Sequence, residues 1–201
     1  MKIYDISQEV FSCVVYPGDP APAWQRVRSI GDGSPCNLTA FSMCAHNGTH
    51  VDAPFHFLPD GDTVEAIALQ RTVGYAFVAT HEGELSAEQT TAILQRAKQA
   101  DPEAADRILL KGDVTVTQAA AEVLADAGIL LIGVESQSVG QDDAPMAVHR
   151  TLLRRQVVLL EGIRLAQVPD GVYLLCAAPL ALAGADGAPC RAVLVDLEHK
   201  E

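Results

Sequence analysis

The sequence predicts one domain of the mixed α/β class. Short β-rich apolar runs recur from end to end, two capped amphipathic stretches lie among them, and no segment has the length or composition of an interdomain linker. At 201 residues, 49% apolar and 20% charged, the chain can bury a substantial core without dividing it.

In chain order the expected strands are Leu38 to Cys44, Tyr75 to Thr80, Arg107 to Leu110, Ile129 to Val134, Val157 to Leu160, Val172 to Cys176 and Ala192 to Val195. The first helix is expected over Ser86 to Ala100, where Ser86 and Gln89 stand at capping-box spacing. The second spans Thr115 to Ala127, pairs Thr115 with Gln118 in the same way, and stops at Gly128 before a strand. Loops rich in Gly, Pro and Asp punctuate the strands at Pro17 to Pro20, Gly31 to Pro35, Pro59 to Asp62, Gly140 to Pro145 and Gly184 to Pro189. Sites form on such loops when a rigid scaffold holds them.

Charge narrows the function. With 26 acidic and 14 basic residues the formal charge is −12, which opposes binding to phosphate backbones and anionic membranes. A small-molecule partner is expected, with neither nucleic acid nor membrane. The start Met1-Lys2-Ile3-Tyr4-Asp5-Ile6 lacks a signal-peptide pattern and no apolar run reaches spanning length, so a cytoplasmic protein is expected. Five cysteines, odd in number and without a CxxC pair, indicate neither a disulfide scaffold nor a thiolate zinc site; they read as small core residues in a reducing compartment.

The chemistry concentrates in His46-Asn47-Gly48-Thr49-His50-Val51-Asp52-Ala53-Pro54-Phe55-His56. A lone HxxxH pair is ordinary loop polarity, but here Asp52, His56, Gly48 and Pro54 share the segment. Imidazole and carboxylate suit divalent ions, and without thiolates the set leans toward a catalytic site over a closed structural zinc. Asn47-Gly48 signals a turn and Pro54 ends any helix, so a bend is favoured. We expect a strand over 38 to 46 to deliver His46 at its end, with Gly48 then turning the chain. A straight strand would leave 46 and 52 roughly 20 Å apart at ~3.4 Å per residue.

The run also resembles the signature of the cyclase family of metal-dependent hydrolases, His-x-Gly-Thr-His-x-Asp-x-Pro-x-His, at every fixed position. Supporting stretches are Tyr16-Pro17-Gly18-Asp19-Pro20, Gly33-Ser34-Pro35, His149-Arg150 with Leu160-Glu161-Gly162, and Ala188-Pro189-Cys190-Arg191-Ala192-Val193-Leu194. The similarity runs from near the N-terminus to Val195 and is greatest to the bacterial formamidase branch.

The resemblance implies a single mixed α/β domain over 1–201, of the swivelling β/β/α-like type, and two divalent ions per subunit, zinc first and manganese as the alternative. It implies that His46, His50 and Asp52 hold one ion, that His149 holds the second, and that Asp52 and Glu161 are shared. His56 becomes the proton donor and acceptor. From the residues alone, His149 and Glu161 would be surface groups; His81 and His199 have no counterpart and are left on the surface. Tyr16 stands where the branch carries an aromatic that stacks on substrate, although plain packing would place an aromatic there equally well.

The implied activity is hydrolysis of an aryl formamide such as N-formylkynurenine; the rival is opening of a cyclic amide or lactone of the isatin type, and a metal-binding protein without turnover is the third reading. Relatives imply a homodimer or homotetramer. Two departures stand out: Glu135 within Gly133-Val134-Glu135-Ser136-Gln137-Ser138, where the family has Asp-Thr-Pro-Ser, and a shortened Thr80 to Val114 region. Both are expected to alter the pocket wall.

Overall fold

In the computed structural model, which describes residues 1–140 and 145–197, the chain opens with β1 (Lys2–Asp5), then β2 (Ala23–Arg28) and β3 (Leu38–Ser42). Next come β4 (His50–Asp52) and β5 (Val73–Thr80). The middle alternates: β6 (Gly83–Leu85), α1 (Ala87–Ala100), β7 (Arg107–Lys111), β8 (Val114–Val116), α2 (Gln118–Ala127), β9 (Leu131–Val134), α3 (Pro145–Arg154) and β10 (Val158–Glu161). β11 (Gly171–Cys176), β12 (Gly187–Pro189) and β13 (Val193–Asp196) complete it.

Nine strands form one mixed sheet in the order β1-β13-β11-β5-β7-β9-β10-β4-β12. Its centre, β5-β7-β9-β10, is parallel, and the connections through α1, α2 and α3 supply the long crossovers that parallel strands require. Antiparallel strands complete both flanks.

Strand alternation sorts the core into two layers. Phe77, Ala79, Ile108, Leu110, Ile132 and Leu159 pack with Ile93, Ala97, Leu124, Val148 and Leu152 of the helices. Their neighbours Val78, Leu109, Leu131, Val158 and Leu160 face the other way, onto Ile6, Ile163, Leu165, Leu175 and Leu194. This two-sided burial explains why the central strands are apolar runs rather than alternating ones.

All seven expected strands are present, with ends shifted by a few residues. The capping box at Ser86 and Gln89 forms as expected and starts α1. Thr115, however, lies in β8; Thr117 caps α2 by accepting the Ala120 N–H at 3.2 Å, so that helix starts later than expected. The helix α3 was not expected, although Val148 and Leu152 stand at i, i+4 and mark its buried face. The expected loop at Gly140 to Pro145 falls on residues 141–144, outside the described ones, and on the start of α3. The expected core placement of the cysteines is corrected: Cys36 is exposed and the other four, all free like it, are only part-buried.

β2 and β3 do not join the main sheet. They pair with each other as an antiparallel arm whose residues are exposed on both faces.

Candidate metal centre

The chain leaves the arm through a turn built by Asn47, whose side-chain oxygen accepts the Cys44 N–H at 2.8 Å while its own N–H bonds the Cys44 carbonyl at 3.2 Å. Gly48 follows at φ +68°, a left-handed conformation that costs glycine little. The expected bend is therefore present, but the expected strand to residue 46 is not. β3 ends at Ser42 within the arm, because Asn47 draws the backbone from Cys44 onward into the turn that carries His46.

β4 then runs between β10 and β12, with His50 opposite Glu161 and Pro189, and Asp52 opposite Leu159 and Gly187. Alternation places Val51 in the layer of Ile6 and Leu160, and His50 with Asp52 on the helix side. There α3 covers them. Val148, Leu152 and Leu153 anchor its inner face, which carries His149 inward to 3% exposure. Glu161, at the carboxyl end of β10, is equally buried. Both corrections to the surface reading follow from the sheet edge and the helix that covers it.

Five groups thus converge. His46 Nδ1 is 2.8 Å and His50 Nε2 3.4 Å from Asp52 Oδ1. On the other side, His149 Nε2 is 3.8 Å from Asp52 Oδ2 and 3.3 Å from Glu161 Oε1, and His50 Nε2 is 3.4 Å from Glu161 Oε2. Asp52 belongs to two ligand-like sets at once, His46–His50–Asp52 and Asp52–His149–Glu161.

The donors fit divalent cations. Asp52 Oδ2 and His50 Nε2 are buried without a hydrogen-bond partner, a costly condition unless something positive lies between them. His50 Nδ1 donates to the Gly48 carbonyl at 3.1 Å, so the neutral ring carries its lone pair on Nε2, facing the carboxylates. The electrostatics agree. Burial pulls the His50 imidazole down, but the facing carboxylates of Asp52 and Glu161 outweigh it and push the ring up to about 10. Burial likewise raises Asp52, yet His46 and His50 hold its carboxyl well below the usual range. The pocket demands positive charge, from protons or from ions that displace them.

His56 ends a short 3-10 turn, Pro54–His56, and its ring stacks on that of His46 with centroids 4.1 Å apart. It lines a cleft of about 250 Å³ together with Tyr16, Asp19, Phe57, Gln137 and Ser138, and the cleft floor is His46, His50, His149 and Glu161. Tyr16 stands in the cleft wall.

Of the two wall expectations, the run Gly133 to Ser138 does meet the cleft, through Gln137 and Ser138, while the region Thr80 to Val114 needs correction. Glu135 does not line the cleft: its carboxylate accepts the Gly112 N–H at 2.7 Å and the Leu165 N–H at 2.8 Å, tying two loops together. No residue of Thr80 to Val114 lines it: β7 lies elsewhere in the main sheet, β6 pairs with β8 outside that sheet, and α1 packs in the helical layer. Sequence reasoning missed one group, Asp186, and singled out the run that contains Gln137 without giving that residue a part. Gln137 donates to the Gly48 carbonyl at 3.0 Å, and Asp186, before β12, approaches His46 and His56 through one oxygen. Nothing in the local pattern around Asp186 links it to residues 130 or more positions earlier. His81 donates Nε2–H to the Glu84 carbonyl away from the cleft, and His199 lies outside the described residues.

The family profile described as "Putative cyclase" matches residues 4–141. The chain belongs to the cyclase family. A kynurenine formamidase from Salinibacter ruber is 34% identical over 212 aligned residues, covering 98% of each chain. Among solved structures, one titled "The Structure Of Potential Metal-Dependent Hydrolase With Cyclase Activity" is 27% identical with a TM-score of 0.80, covering 98% of this chain and 99% of its own. Isatin hydrolase A from Ralstonia solanacearum also has a TM-score of 0.80, covering 97% and 92%, but at 22% identity it speaks to the fold alone.

Proposed function

We propose that this chain is a metal-dependent amide hydrolase that cleaves an aryl formamide, with N-formylkynurenine giving kynurenine and formate. One observation carries the reading: Asp52 directs one oxygen toward His46 and His50 and the other toward His149, with buried donor atoms left unpaired between them. We assign His46, His50 and Asp52 to one divalent ion and His149 to a second, with Asp52 and Glu161 shared. Nitrogen and oxygen donors without thiolate favour zinc, with manganese as the alternative. The strong similarity to a formamidase over nearly the whole chain supports the substrate class.

Divalent ions held there supply Lewis-acid polarisation of a carbonyl and a positive field that makes water a usable nucleophile near neutral pH. The protein's own groups do the rest. His56, with Nδ1 against Asp186, presents Nε2 to the cleft, where it takes a proton from water and returns it to the departing nitrogen. Tyr16 and Phe57 give the cleft two aromatic walls for a planar ring. A cavity of ~150 Å³ already accepts benzene, so about 250 Å³ holds one ring and a formamide.

The deciding assay compares N-formylkynurenine with isatin, using protein of measured metal content. Equimolar kynurenine and formate are expected; isatin opening without formate release would favour the rival activity, and inertness toward both would leave a metal-binding protein.

We further propose a homodimer in the cytoplasm. Phe11, Trp24 and Phe41 form a ring cluster at the arm, with centroids 6.3 Å apart for each contact and exposures of 41%, 54% and 61%. A second copy is the occupant that this apolar surface suits. The unpaired thiols, Cys36 exposed among them, suit a reducing compartment.

A further inference from the structure

The geometry points to Asp186 as a positioning residue: one of its oxygens sets the ring tautomers of both His46 and His56, turning one nitrogen of His46 to the metal centre and one nitrogen of His56 to the cleft. Asp186 Oδ2 lies 2.9 Å from His46 Nε2 and 3.0 Å from His56 Nδ1. A carboxylate oxygen only accepts, so both nitrogens carry hydrogen. His46 Nδ1 faces a second carboxylate, Asp52 Oδ1 at 2.8 Å, where by the same rule it holds a proton until a cation displaces it; the Asp186 contact keeps hydrogen on Nε2, so Nδ1 is the nitrogen freed for the ion. His56 has Nε2 left as a lone pair, the form a proton acceptor needs.

Without this carboxylate each neutral ring would be free to take the other tautomer, which puts hydrogen on the His46 nitrogen that faces the metal centre and removes the His56 lone pair from the cleft. The carboxylate–histidine–metal arrangement is a general device for orienting a ligand ring; here the same oxygen also serves the proposed base.

The backbone holds Asp186 to this task independently of its side chain. Its carbonyl accepts the Ala53 N–H at 2.9 Å, and the next residue, Gly187, stands opposite Asp52 in the β4–β12 register. A Cβ on Gly187 would lie 2.8 Å from His46 Cε1 and 2.8 Å from the Val51 carbonyl. The strand therefore presses against the His46 ring, which brings the preceding carboxylate to the edges of two stacked imidazoles. Removing the Asp186 side chain leaves these backbone contacts in place.

The inference rests on the ligand role proposed for His46, and its test is readable whether or not a formamide is the substrate. Protein labelled with ¹⁵N-histidine and loaded with zinc is compared as wild type, Asp186→Ala and Asp186→Asn, by two-bond ¹H–¹⁵N correlation and by zinc titration. In the wild type His56 should show the Nδ1–H tautomer, and His46 one protonated and one zinc-bound nitrogen. Asp186→Ala should move His56 toward Nε2–H and weaken zinc by about 10–100-fold, and should lower kcat with KM near wild type. Asp186→Asn, whose amide oxygen can accept from both rings, should restore the tautomers and most of the turnover. Unchanged tautomers in Asp186→Ala would overturn the assignment, as would a zinc-shifted His56 Nδ1 in the wild type, which would make His46, His56 and Asp186 a cation site of their own. Should Asp186→Ala fold poorly, a tautomer pattern in Asp186→Asn that is neither restored nor wild-type would equally overturn it.

Discussion

The cleft beneath α3 hides charge, while the arm of β2 and β3 displays apolar surface. In the cleft, His50 and Asp52 are 1% exposed and His149 and Glu161 3%; in the arm, every residue of both strands is exposed, Trp24 and Phe41 included. Each region inverts the usual partition of polar and apolar groups, and the proposals made above give both inversions the same physical origin, a partner that the single chain does not contain. For the cleft the partner is cationic, because orphaned lone pairs converge there. For the arm it is apolar, because two open faces of a β-ribbon carry aromatic rings. The arm and the cleft are joined by the Asn47–Gly48 turn, so the two proposed partners would meet the protein only a few residues apart in sequence.

The comparison is most easily broken at Asp52. Asp52→Ala removes the carboxylate common to both ligand sets and should lower metal content to background and kcat/KM by at least ~10³-fold, on the order of 4 kcal/mol; full metal occupancy by elemental analysis would refute the shared role. His56→Ala separates chemistry from binding: metal should stay bound while kcat falls by roughly 10²–10⁴-fold, and wild-type turnover would remove His56 from the mechanism. Stripping metal with a chelator tests whether the hidden charge needs its ions. A ligand at ~1,000 times its Kd adds about 4 kcal/mol to stability, so the melting temperature should fall on the order of 10 °C and recover on adding zinc back.

The arm predicts the opposite pattern. Trp24→Ser with Phe41→Ser should halve the mass seen by light scattering, yet leave the monomer's own stability within about 0.5 kcal/mol and its metal content unchanged. An unaltered dimer would place the interface elsewhere. Asp170 offers the smallest effect, at a surface belonging to neither region. Burial raises its carboxyl, but the Thr80 hydrogen bonds and Arg96 outweigh this and hold it below its ordinary value. A depressed folded-state value stabilises above the usual carboxylate pKa and is lost as pH falls through the lowered one, so Asp170→Asn should cost at most ~1 kcal/mol near neutral pH. The mutant and wild-type stabilities should converge in acid, which pH-dependent denaturant melts can check.

The legibility of these regions differed for reasons visible in single residues. The central strands were readable because burial on both faces leaves apolar runs such as Ile129 to Val134, and α1 because Ser86 and Gln89 cap it through local contacts. β4 and β12 were not readable, since strands of three residues carry no periodicity and exist by pairing with β10 and with each other. Within the site, His46, His50, Asp52 and His56 announced themselves by density. His149 and Glu161 came only through a family likeness, and Asp186 through neither.

The sequence by itself determined the chemistry available, through donors crowded into one eleven-residue run, and the α/β class, through periodicity and caps. Both are encoded among neighbours along the chain. The tertiary structure alone decided that Glu161 faces His50 across two strands, that α3 turns His149 inward, and that Asp186 reaches His46 and His56 from the far end of the molecule. The pairings of Glu161 with His50 and of Asp186 with His46 and His56 span more than 100 residues, a distance at which only sheet register and helix packing determine which side chains meet.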